Sequence, residues 1–158
     1  MPSVPCFTSI LVICDGNYCR SPIAKALLQA AVGAAGPRVE SAGLTALEGL
    51  PPHPAAQKLM AEQGLDISGD RGRQLTLPIA LAADLILVMD ERQKRSCGQL
   101  APSARGRLFL LGHWQPAARR EIPDPSQGGS AALYRSFEQI SRAVADWVPH
   151  LVHSQRSA

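Results

Sequence analysis

Aromatic residues are scarce in this chain: two Trp, two Tyr and three Phe make up 4% of its 158 residues. So thin a supply leaves no platform for stacking successive bases. A surplus of one charge is lacking too. Sixteen Lys and Arg stand against 13 Asp and Glu, a net +3 at pH 7 with His neutral, and the basic residues are dispersed. Duplex binders gather their cations in a patch or stripe, so nucleic acid drops out as a partner. Long apolar runs are also missing. Ile10–Ile13 and Leu85–Met89 fall far short of the ~20 residues that cross a bilayer, so no membrane insertion is expected. The first residues, Met1-Pro2-Ser3-Val4-Pro5, carry neither the basic nor the apolar region of a signal peptide, which predicts a cytoplasmic protein. Cysteine is sparse for a disulfide scaffold, with four in the chain. Cys14 and Cys19 have neither C-x2-C spacing nor a companion His cluster, and the four histidines are scattered, so no metal site is expected. A reactive thiol remains open.

What is present suits one α/β domain spanning 1–158, with about 1–5 and 154–158 expected to be flexible. Apolar residues make up 46% of the chain, enough for a core, and 13 Gly and 13 Pro punctuate short periodic segments. Phe7 to Ile13 reads as a buried strand ending at Cys14. Ser21-Pro22 reads as an N-cap and first helical residue, opening a helix that ends near Gly33 or Gly36. Strands follow at Val39–Ala42, Leu85–Met89 and Leu108–Leu111, with helices at His53–Gln63 and Asp90–Leu100. A final helix carries Leu133, Phe137, Ile140, Val144, Trp147, Val148 and Leu151 on one face. Strand and helix in alternation predict a parallel sheet with right-handed crossovers, whose ligand sits at the carboxyl ends of the strands.

Cys14 lies at such an end. From it runs Cys14-Asp15-Gly16-Asn17-Tyr18-Cys19-Arg20-Ser21, a C-x5-R loop between the first strand and the first helix. A loop of this length can curl so that successive N–H groups cradle tetrahedral oxygens above a helix N-terminus. Gly16 and Asn17 are residue types that accept a left-handed backbone. Arg20 then offers a planar fork to two phosphate oxygens, and the same donors stabilise a Cys14 thiolate. A nucleophilic thiolate needs a proton donor on another loop at the same rim. Asp124, between Pro123 and Pro125, is the candidate; an Asp-Pro pair is also a common turn former.

The loop resembles the C-x-G-N-x-C-R-S-P signature of the low-molecular-weight protein tyrosine phosphatases. Ser41-Ala42-Gly43-Leu44, Arg73-Gln74-Leu75 and Met89-Asp90 resemble further segments of that family. Gly112-His113-Trp114 with Glu121-Ile122-Pro123-Asp124-Pro125 resembles its bacterial subgroup tied to capsule and exopolysaccharide production. The resemblance implies a four-stranded parallel sheet flanked by helices, no cofactor, and hydrolysis of phosphotyrosine through a phosphocysteine. It assigns Cys14 as nucleophile, Arg20 as phosphate clamp and Asp124 as general acid and base, with inorganic phosphate as product. Asp15, Gly16, Asn17, Tyr18, Cys19 and Ser21 become the phosphate- and substrate-binding loop, Ser41 supports Asn17, and Leu44 and Ser126 sit at the substrate rim. The implied substrate is a phosphotyrosine protein, a bacterial tyrosine autokinase.

Four positions depart from the family pattern: Asp15 in place of an uncharged residue, Tyr18 in place of Ile or Thr, Asp70 where a His braces the loop Asn, and Ser126 where an aromatic often walls the slot. Asp15 facing inward would repel a phosphate; facing outward it would pair with a nearby arginine or a basic substrate flank. Cys14 and Cys19 on one loop also predict a redox-sensitive pair. Arsenate reduction, a rival on this fold, needs a relay of two further thiols, which Cys6 and Cys97 do not supply. A non-catalytic phosphate-binding module has no use for the acid, and no G-x-G-x-x-G or Walker sequence supports a nucleotide site.

Overall fold

The computed structural model describes residues 7–152; the expected flexible ends at 1–5 and 154–158 lie outside them. Four strands, β1 (Ser9–Cys14), β2 (Arg38–Gly43), β3 (Leu85–Val88) and β4 (Leu108–Leu110), form one sheet in the order β2-β1-β3-β4. Every pairing is parallel, with Ile13 opposite both Ala42 and Val88. Among the described residues five α-helices accompany them: α1 (Arg20–Val32), α2 (Pro54–Glu62), α3 (Leu77–Ala82), α4 (Glu91–Leu100) and α5 (Gly129–Val152).

The sheet is covered on both faces, which is why its central strands read as unbroken apolar runs. Side chains alternate along a strand, so Ile10, Val12 and Cys14 join Leu85, Leu87 and Met89 in a core beneath α1 and α5. Leu11, Ile13, Ile86 and Val88 face the other way, into a second core with Ala80 and Cys97. The apolar stripe of α5 packs as its spacing predicts, with Leu133, Ile140, Val144, Trp147 and Leu151 buried. Trp147 also donates its indole N–H to the Leu111 carbonyl at 2.7 Å.

Most boundaries fall within a residue or two of expectation. One departs in a way that matters. Ser21 does not cap α1; Cys19 holds that place and makes no side-chain cap. Ser21 lies inside the first turn because its hydroxyl is spent on the Cys14 sulfur and the Asn17 amide. Helix α3 was not anticipated, although Thr76 accepts from the Ile79 N–H and Pro78 sits in the first turn, an N-terminal signature.

Candidate active site

Strand β1 delivers Cys14 to the carboxyl end of the sheet, and the loop after it folds against the segment following β2. The Cys14 carbonyl accepts from the Leu44 N–H (3.0 Å), Asp15 from Thr45 (2.8 Å), Gly16 from Leu47 (3.0 Å) and Tyr18 from His53 (2.8 Å). In a trans peptide the following N–H points opposite its carbonyl. The N–H groups of residues 15, 16, 17 and 19 are thereby turned away from the segment after β2, an arrangement that suits an anion cradle.

Asn17 holds that curl. Its backbone is left-handed (φ 52°), a conformation asparagine accepts at modest cost. Its side-chain N–H groups donate to Ser21 Oγ and Ser41 Oγ, both at 2.9 Å, and its Oδ1 accepts from the Arg73 N–H at 2.8 Å. Gly16, by contrast, is not left-handed; a Cβ there would meet Tyr18 Cβ at an ordinary 3.5 Å. The glycine the loop needs is Gly43 on β2. A Cβ on it would lie 2.6 Å from the Asp15 carbonyl oxygen and 2.9 Å from the Asn17 nitrogen.

The Cys14 sulfur is 2.9 Å from Ser21 Oγ. Since Asn17 already donates to that oxygen, the serine proton is available to the sulfur. Arg20, 3% exposed, donates to the Ile122 carbonyl at 2.7 Å and to Asp15 Oδ2 at 3.3 Å, with Asp90 at 3.9 Å. The Ile122 contact ties the arginine to the loop bearing Asp124, which is fastened in turn by the Ser136 hydroxyl on the Pro123 carbonyl. Asp124 accepts from the Ser126 N–H at 3.0 Å. It is both a turn former and a cavity residue.

A cavity of about 430 Å³ joins Cys14, Arg20 and Asp124. The loop residues Asp15, Gly16, Tyr18 and Cys19 line it, as do Leu47, His53 and Ala55 on one side and Pro125, Ser126 and Leu133 on another. Tyr18 and His53 meet edge to face with ring centroids 5.3 Å apart. Burial pushes the Cys19 thiol up to about 12; nearby Cys14 adds to this and Arg20 opposes it.

Leu44 requires correction. It is not among the cavity residues but packs against the second core, because the residue after β2 continues the strand's inward alternation. Leu47, three positions on and 44% exposed, lies at the rim instead. Asp70 does not brace Asn17; it pairs with Lys25 at 3.1 Å, and the Arg73 backbone takes the bracing role. Leu47, His53, Ala55 and Leu133 were missed as lining residues. Only His53, at the start of a Pro-initiated helix, carried a polar signal.

These features gather a thiol, a guanidinium and a carboxylate around one cavity on a parallel α/β sheet. The chain belongs to the low molecular weight phosphotyrosine protein phosphatase family, whose sequence profile matches residues 9–157. It is 43% identical over 143 residues to a probable low molecular weight protein-tyrosine-phosphatase, EpsP, of Ralstonia nicotianae, covering 90% of this chain and 95% of that one. Among solved structures, the Erwinia amylovora tyrosine phosphatase amsI superposes with a TM-score of 0.86 at 34% identity, covering 92% of this chain and 93% of its own. The tyrosine phosphatase Wzb of Escherichia coli K30, solved with sulphate, gives 0.85 at 35% identity, with 91% and 98% covered. Among the described residues no helix is long and apolar enough to cross a membrane.

Proposed function

We propose that the protein hydrolyses phosphotyrosine in two steps through a phosphocysteine at Cys14. The Cys14 thiolate attacks phosphorus, the P–O bond to the phenol breaks, and Asp124 gives its proton to the departing oxygen. Water then attacks the phosphocysteine, Asp124 takes a proton from that water, and inorganic phosphate leaves as the thiolate re-forms. Arg20 and the loop N–H groups hold the equatorial oxygens in both transition states. Ser21 donates to the sulfur as it departs. The carrying observation is a single cavity that unites Cys14, Arg20 and Asp124, with Ser21 Oγ 2.9 Å from the sulfur.

The walls favour an aryl substrate. Tyr18, Leu47 and Leu133 offer apolar surface to a phenyl ring, and Ser126 leaves one side less enclosed than an aromatic would. The resemblance to the exopolysaccharide subgroup directs the substrate reading to a bacterial tyrosine autokinase, met in the cytoplasm. Hydrolysis of p-nitrophenyl phosphate by wild type and Cys14→Ser tests the chemistry. A panel of phosphotyrosine, phosphoserine and phosphoarginine peptides tests the specificity: the tyrosine peptides are expected to be turned over and the serine peptides not. Faster turnover of phosphoarginine would overturn the aryl assignment.

A further inference from the structure

Asp15 stands beside the nucleophile where a dianionic phosphate must dock, and its carboxylate oxygen Oδ2 is shared by two arginines. Arg92, at the start of α4, reaches it at 2.6 Å, and Arg20 at 3.3 Å. Asp90 stands 3.8 Å from Arg92 and 3.9 Å from Arg20. The four groups form two carboxylates against two guanidiniums, with formal charge summing to zero. Arg20 belongs to the cavity, whereas Arg92 is not among its lining residues and is 57% exposed at its side chain.

We infer that Arg92 is a positioning residue for phosphate binding: it holds the Asp15 carboxylate and so keeps Arg20 free to clamp the substrate. This rests on the phosphatase reading above. Without Arg92, Asp15 and Asp90 would share Arg20 alone, and the quartet would carry a net negative charge next to an incoming dianion. The shared oxygen makes the competition direct, since an NH2 hydrogen of Arg20 engaged by Asp15 is unavailable to a phosphate oxygen. The shorter distance gives Arg92 the stronger hold, and the hydrogen bond it donates to Asp15 is the chief reason the Arg92 guanidinium binds its proton more tightly than usual. Arg92 is a poor candidate for a substrate contact in its own right, because it does not line the cavity.

An uncompensated charge ~7 Å from the phosphate, at an effective dielectric of ~20 and halved by screening, weakens binding by roughly five- to tenfold for each phosphate charge it faces. The test measures p-nitrophenyl phosphate hydrolysis and its inhibition by inorganic phosphate at low ionic strength. It compares wild type, Arg92→Met, Arg92→Lys, Asp15→Asn and the Arg92→Met/Asp15→Asn double variant, with thermal unfolding of each as a check on folding. Arg92→Met is expected to raise KM and the phosphate inhibition constant together by about that factor, with a smaller change in kcat. Added salt should shrink the effect, and Arg92→Lys should recover part of it. In the Asp15→Asn background the Arg92→Met penalty should vanish. An unshifted inhibition constant in Arg92→Met, or the same penalty in both backgrounds, would overturn the inference. Absence of hydrolysis by wild type would instead refute the phosphatase chemistry itself.

Discussion

Asn17 carries more of the loop than any other single side chain, and replacing it gives a graded experiment. It is 3% exposed, so water cannot replace its three partners, Ser21 Oγ, Ser41 Oγ and the Arg73 N–H. Each bond contributes a net ~1 kcal/mol, so their loss costs about 3 kcal/mol. Alanine would also have to adopt φ 52°, adding about 1 kcal/mol that glycine avoids. Asn17→Gly should therefore cost about 3 kcal/mol and Asn17→Ala about 4 kcal/mol in urea unfolding, a gap wide enough to resolve. Both variants should also bind inorganic phosphate more weakly, because the N–H groups around residue 17 lose their fixed direction. Both lying within about 1 kcal/mol of wild type, with phosphate inhibition unchanged, would refute the role given to this residue.

Asp124→Asn should slow hydrolysis of phenyl phosphate on the order of 10²-fold, within the range of general acid catalysis, and slow p-nitrophenyl phosphate less because its leaving group needs less help. An equal rate with phenyl phosphate would move the acid elsewhere. Peroxide should inactivate the enzyme reversibly: Cys14 is oxidised to the sulfenic acid, the Cys19 thiol displaces water from it, and the resulting disulfide is reduced by added thiol. With Cys19 held protonated to about 12, trapping should quicken as pH rises; Cys14 sulfinic acid beside reduced Cys19 in peptide mapping would refute the protection. Asp84 accepts from the Thr8 hydroxyl and N–H and from the Ser9 N–H, which hold its carboxyl below the usual range, the hydroxyl bond most. A depressed folded value stabilises the fold above the unfolded pKa of ~3.9 and loses that contribution as pH falls through the lowered value. Asp84→Asn should be less stable than wild type at pH 7, with the gap closing below about pH 4.

The sheet was legible because burial on both faces leaves Leu11, Val12, Ile13 and Leu85–Val88 with no polar alternation to confuse. The reactive loop was legible for a different reason: a thiol, an arginine and a left-handed asparagine at fixed spacing have few other uses together. The support beneath the loop was not. Gly43 is required by the approach of a backbone 26 or more residues earlier in the chain, and Arg73 braces Asn17 through a main-chain N–H that any residue but proline would offer. The orientation of Asp15 is not legible in the sequence because its partner Arg92 stands 77 positions away. Leu44 and Leu47 are chemically equivalent in sequence; only the register of β2 separates a core residue from a rim residue.

The central claim is that phosphorus passes through the Cys14 sulfur. Rapid acid quench of the enzyme turning over a phosphotyrosine peptide, followed by mass spectrometry of its proteolytic fragments, tests it directly. A phosphoryl group is expected on Cys14, and it should disappear in Cys14→Ser. Steady turnover with no phosphoryl group on Cys14, or with the phosphoryl group on another residue, would contradict the claim.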